Sequence, residues 1–190
     1  MIEILVSSAI LVILAVGFLG IQYIISQNQL TTWRNYLSIE AANIAISGMS
    51  REIRDARQNE LGAYALETAN DQEIIFYSDI DYDGVIERVR YTLNGSDLEK
   101  GVVEPSGDPL SYSSPESVRV VTDIVRNGTD PLFYYYNAGW PEDTTNNPLA
   151  PADRISDTSQ IKIIIKTNPR TDKPDLDYIL ESDVKLRMLN

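Results

Sequence analysis

Residues 4–25 form an almost unbroken apolar run with no charge and no proline, interrupted only by Ser7, Ser8, Gly17, Gly20 and Gln22 among the small or polar types. That length matches the roughly 20 residues a helix needs to cross a bilayer. Small residues inside it suit close helix packing in lipid. From Ser26 to Arg57 there is again no proline, and Gly48 is the one glycine. Here the pattern changes. Ile39, Ala42, Ile46, Met49, Ile53 and Ala56 recur at spacings of three and four, while Arg51, Glu52, Arg54 and Asp55 fall on other faces. This is the period of an amphipathic helix. Trp33, Leu37, Ala41 and Ile44 are expected to widen the stripe. The pattern predicts one helix over residues 1–58, about 80 Å long at 1.5 Å per residue. Its membrane-spanning part covers about 4–25, and its later stripe, with Ile39, Ile46, Met49 and Ile53, packs on a head.

The head, residues 59–190, reads as strands. Glu73–Ser78 is a short β-rich run. In Val85–Leu93, Val85, Val89, Tyr91 and Leu93 alternate with Arg88 and Arg90 on the other side. Asn94-Gly95 follows as a hairpin signal, because both residue types tolerate positive φ. Leu98–Val103 is the expected return strand, and Val118–Val125 and Leu132–Tyr136 are further candidates. Ile161, Ile163 and Ile165 alternate with Lys162 and Lys166. Tyr178, Leu180, Val184, Leu186 and Met188 alternate with Glu181, Asp183, Lys185 and Arg187. These last two runs flank the Pro169–Pro174 turn and should pair antiparallel. The expected class is therefore α+β, a long N-terminal helix packed on an antiparallel sheet of about six strands. The segments 104–117 and 137–158, rich in Pro, Asn, Asp and Ser, are expected as long loops, where function often sits.

Composition narrows the chemistry. The 190 residues carry a net charge of -12, with Lys and Arg scattered singly. A phosphate backbone needs a basic stripe, so nucleic acid is not an expected partner. The chain has no cysteine and no histidine. That removes disulfides, thiolate catalysis and Cys/His zinc sites, and with them the commonest general base. No serine has a visible base and no glycine-rich loop follows a strand. An enzyme is not expected. A cleaved signal peptide also fits poorly, since no basic segment precedes the apolar run and no small-residue cleavage site follows it.

Two features remain. Glu3 is the only charge before Arg34. A carboxylate at the mouth of a hydrocarbon span costs several kcal/mol unless something answers it; one answer is to snorkel at the membrane edge. The second is Asp79-Ile80-Asp81-Tyr82-Asp83-Gly84, with Glu87 after it. Acids at alternate positions before a glycine present several oxygens to one hard cation. An EF-hand would need a glutamate where Arg90 stands, and helices rather than strands on either side. Two readings stay open: a calcium-stabilised hairpin using Asp79, Asp81, Asp83 and Glu87, and a solvated acidic turn. The run Phe133-Tyr134-Tyr135-Tyr136, with Trp140 nearby, reads as strand core ahead of a binding platform. Glu142, Asp143, Asp153 and Asp157 match no metal template. Asn94 and Asn127, each in an Asn-Gly-Ser/Thr triplet, read as turn residues rather than glycan acceptors.

Met1-Ile2-Glu3, followed by Ile4-Leu5-Val6, an uncharged span and an amphipathic continuation into a β head, resembles the type IV pilin and type II secretion pseudopilin family over residues 1–57. The segments "IIFYSDIDYDGVIERVRYTLNG" and "DVKLRMLN" are most like the J-type minor pseudopilins. The resemblance implies a processed, N-methylated start upstream of Met1. It also implies that Glu3 meets the terminal amine of a neighbouring subunit and so sets the register of packed helices. Other pilin or pseudopilin subunits become the expected partners. The expected place is a single-pass inner membrane anchor with the head on the periplasmic or extracellular side, then a filament whose assembly the subunit initiates or caps. An adhesive or uptake pilin that binds a ligand through its head loops is the alternative.

Overall fold

The computed structural model describes residues 2–59, 61–168 and 177–187. It is α+β. Helix α1 runs Ile2–Arg54. Eight strands follow: β1 Leu66–Ala69, β2 Glu73–Ser78, β3 Glu87–Asn94, β4 Asp97–Val103, β5 Ser117–Thr122, β6 Phe133–Tyr136, β7 Gln160–Thr167 and β8 Tyr178–Lys185. A four-residue helix, α2, spans Arg154–Asp157. Contacts divide the chain into two compact units, Met1–Leu37 and Ser38–Asn190.

In the first unit, every described side chain from Ile2 to Leu30 is exposed. These are mostly apolar groups such as Ile10, Leu14, Phe18 and Ile24. The helix here is long and apolar enough to cross a membrane.

The second unit holds the rest of α1 and two antiparallel sheets. One has the order β1-β2-β3-β4-β5, the other β6-β7-β8. The single sheet of about six strands is thus replaced by two sheets, of five and three strands. Alternation identifies strands, but it does not say which of them pair. The β1 run, Leu-Glu-Thr-Ala, is too short to show a period and was not anticipated. The β3–β4 turn also sits one residue later than expected. Asn94 pairs with Asp97, leaving Gly95 and Ser96 as the turn. Gly95 has φ +66 while Asn94 stays extended in the strand. Glycine at the first central position is what a two-residue II′ hairpin requires. β7 and β8 pair antiparallel from Gln160↔Lys185 to Thr167↔Tyr178. The Pro169–Pro174 turn and Met188 lie outside the described residues.

One apolar core joins both sheets to the later part of α1. Ala42, Ala45, Ile46, Met49 and Ile53 meet Ile74, Phe76, Val89, Tyr91 and Leu98 of the first sheet, and Phe133, Tyr135, Ile161, Ile163 and Val184 of the second. Ile46, Met49 and Ile53 are buried and Ile39 is half-buried. The widening of the stripe fails at Trp33, Leu37 and Ile44, which are exposed, while Ala41 is half-buried. The covered face runs through Ala45 instead.

The end of the helix is fixed by donors from the head. Ser78 Oγ donates to the Glu52 carbonyl at 3.1 Å. The Arg187 N–H reaches the Arg54 carbonyl at 3.3 Å. Both satisfy carbonyls that the last turn leaves open. A largely covered polar clasp adds to this. Lys100 Nζ lies 2.7 Å from Glu52 Oε1, and Tyr91 donates its hydroxyl to Glu52 Oε2 at 2.8 Å. Burial, with the Glu52 charge beside it, pushes the Tyr91 hydroxyl far above its ordinary pKa, so it remains a donor.

Candidate functional site

Glu3 lies in the first turn of α1, and its side chain is exposed. A carboxylate there is favourable to the helix itself, because the N-terminal turn presents unpaired N–H groups and the positive end of the dipole. The neighbours along the face are Ile4, Ser7, Ser8 and Leu11. Ser8 turns its hydroxyl inward, donating to the Leu5 carbonyl at 2.9 Å. The segment therefore offers a continuous apolar surface with one acid at its start.

The acidic run forms the connection between β2 and β3. Ser78 pairs with Glu87 at the mouth of the loop. The turn is made by Tyr82, at φ 64, and Gly84, at φ 93. Asp81 Oδ1 accepts the Asp83 N–H at 3.2 Å, and Asp83 Oδ1 accepts the Val85 N–H at 2.7 Å. Such contacts are how aspartate shapes its own turn.

Asp79, Asp81 and Glu87 each bring one carboxylate oxygen within 4.8 Å of the others. Asp83 is not in this group; its carboxylate serves the turn. Asp81 is exposed, but Asp79 is 7% exposed and Glu87 is fully buried. Glu87 Oε2 accepts the Ile80 N–H at 2.8 Å, while Glu87 Oε1 and Asp79 Oδ1 are buried with no hydrogen-bond partner. Arg57 pairs with Asp79, its Nη2 lying 3.6 Å from Asp79 Oδ2. Burial raises the pKa of Glu87, and the nearby charges of Glu104 and Asp81 raise it further.

The contrast with the other acids of the first sheet is sharp. Glu67 takes a two-pronged contact from Arg88, at 2.7 Å on each oxygen. Glu116 takes the same from Arg90, at 2.8 and 2.7 Å. Both carboxyls are held below their ordinary pKa, chiefly by those guanidinium bonds. Glu116 reaches Arg90 by lying over Gly101, where a Cβ would come within 2.1 Å of its Oε1.

The aromatic run faces the core. Phe133, Tyr135 and Tyr136 are buried and only Tyr134 is partly open. Tyr136 packs on Trp140 with ring centroids 4.7 Å apart. The long loop after it is stapled to the head. Arg154 bonds the Leu149 and Ala69 carbonyls, pairs with Asp71 at 2.8 Å and lies 5.0 Å from the Tyr135 ring centre. Asp143 accepts from the side chain and N–H of Asn146, the Asn137 amide and the Thr145 N–H, which hold its carboxyl below the usual aspartate range. Asn127 is 3% exposed. Its amide donates to the Ile164 carbonyl at 2.7 Å and its oxygen accepts the Lys166 N–H at 2.9 Å.

Sequence reasoning did not single out the Glu52–Lys100–Tyr91 clasp or the burial of Glu87. Strand parity carried both signals. Glu87 shares its side of β3 with Val89 and Tyr91, and Lys100 shares its side of β4 with Leu98.

No protein-family model matches the chain, and no curated protein sequence matches it. Among solved structures, the chain is similar to one described as the GspK-GspI-GspJ complex from the enterotoxigenic Escherichia coli type 2 secretion system. The TM-score is 0.46 and the identity 10%, over 80% of this chain and 99% of that one.

Proposed function

We propose that the chain is a structural, non-enzymatic subunit of a pilin or pseudopilin type, held in a membrane by its first helical segment and then packed with other such subunits in a filament. The observation that supports this most is the exposure of the whole segment Ile2–Leu30. Apolar surface of that extent is costly in water at about 25 cal/mol per Å². Lipid, or neighbouring helices of the same kind, removes that cost. The N-terminal motif with Glu3 favours a life in both settings. In the membrane the acid sits at the polar edge. In a filament it meets the N-terminal amine of the adjacent chain, and the paired charges fix one register among many for smooth apolar helices. A minor, assembly-initiating role of the J type follows from the resemblance of the head segments.

The test is Glu3→Leu in the full-length precursor, expressed in the native host. The variant is expected to reach the membrane normally and to be depleted at least tenfold from sheared filament fractions. Incorporation equal to that of the unmodified chain would contradict the role given to Glu3.

A further inference from the structure

We propose that the β2–β3 loop is a calcium site whose protein carboxylates are Asp79, Asp81 and Glu87. The acids alone would not carry this, because acidic turns are common and cheap in water. What carries it is that two of the three are buried and incomplete. Glu87 is fully buried, Asp79 is 7% exposed, and each keeps one oxygen with no hydrogen-bond partner. Buried polar atoms are normally satisfied, and a lone buried acceptor is expensive. The carboxylate atoms of the three residues converge to within 4.8 Å of one another. Oxygens bound to one calcium ion at 2.3–2.6 Å can be at most about 5 Å apart, so one ion can span the group. Arg57 Nη2 lies 3.6 Å from the other oxygen of Asp79, Oδ2, and its side chain is 39% exposed. It neutralises one charge and leaves two.

The donor set selects the ion. All donors are carboxylate oxygens, which suit hard cations, and the chain has no histidine or cysteine to hold a softer one. The exposed side of the loop, Asp81 to Gly84, is open to water. Calcium takes six to eight ligands in flexible geometry and can complete its shell with that water, whereas magnesium demands a near-ideal octahedron. The site differs from the loop expected from spacing alone, since Asp83 shapes the turn. It stands independently of the filament reading.

The experiment is thermal unfolding of the full chain in detergent micelles, after treatment with EDTA, in calcium chloride, magnesium chloride or sodium chloride at matched ionic strength. Calcium at 100 times its dissociation constant is expected to raise the head midpoint by about 5–10 °C, with magnesium and sodium giving less than half of that. Glu87→Gln and the exposed variant Asp81→Asn are each expected to weaken calcium binding at least tenfold in a calorimetric titration. Asp123→Asn, an exposed acid elsewhere, is expected to bind as the unmodified chain does. Equal midpoints in calcium and EDTA would overturn the proposal. So would an equal response to magnesium, or calcium binding that survives Glu87→Gln and Asp81→Asn unchanged.

Discussion

Two stretches of one helix behave in opposite ways. From Ile2 to Leu30 the apolar groups point in all directions and every described one is exposed. From Ser38 to Arg54 one face is apolar, and its Ala42, Ala45, Ile46, Met49 and Ile53 disappear into the head core, while Ile44 on the opposite side stays exposed. Both stretches carry several Ile and Ala, with Leu confined to the first and charges gathered in the second, but composition alone does not say which apolar groups are covered. Periodicity does. A helix apolar all round asks for lipid or for other helices, whereas a helix apolar on one stripe asks for a sheet of its own chain. The first stretch is left uncovered by its own chain, and the second holds the head.

The largest effects should come from the second stretch. Lys100→Met leaves the largely covered Glu52 carboxylate beside Tyr91 without its cation. It should cost about 3–5 kcal/mol of head stability in denaturant unfolding of the full chain in micelles. Adding Glu52→Gln should recover most of that loss, because the amide still accepts the Tyr91 hydroxyl. Ile53→Ala, at a site with no exposure, should cost about 2–5 kcal/mol in the same assay.

A smaller effect separates the paired acids from the unpaired ones. Glu67 and Glu116 have depressed pKa values in the folded chain. The unfolded chain therefore binds more protons as the medium turns acid. Their contribution is full above the ordinary glutamate range and is lost as pH falls through their folded values. Arg90→Gln should remove the Glu116 share, at most about 1 kcal/mol for a partly exposed pair, and flatten the acid limb of a stability-versus-pH curve. The smallest effect belongs to the first stretch. Leu11→Ala should change head unfolding by less than about 0.5 kcal/mol. A loss as large as that of Ile53→Ala would erase the distinction between the stretches.

Much of this was legible in the chain. The break between the all-round apolar run and the striped one follows from residue spacing; β3, β7 and β8 follow from alternation, and β2, β4, β5 and β6 from β-rich runs and the hairpin signal. What escaped is nonlocal. Nothing in the period of β4 or β6 says that the sheet is interrupted between β5 and β6. Ile44, expected to widen the stripe, stands two residues from both Ala42 and Ile46, on the opposite side of the helix at about 3.6 residues per turn, and is exposed. The acidic loop was visible as a motif. The inward turn of Glu87 needed the parity of β3, and the separation of Asp83 from the other acids needed the turn itself.

The absence of cysteine from these 190 residues makes the central claim directly testable. Single cysteines can be placed at Ile10 and Gly17 in the first stretch and at the buried Ala45 in the second, within the full chain in its native host, alongside pilin-like subunits that carry a cysteine in the matching helical segment. Oxidation should yield intermolecular adducts from Ile10→Cys and Gly17→Cys and none from Ala45→Cys, and the adducts should fall at least tenfold with Glu3→Leu. First-stretch cysteines that stay unlinked while filaments form, or that link equally well with and without Glu3, would contradict the account.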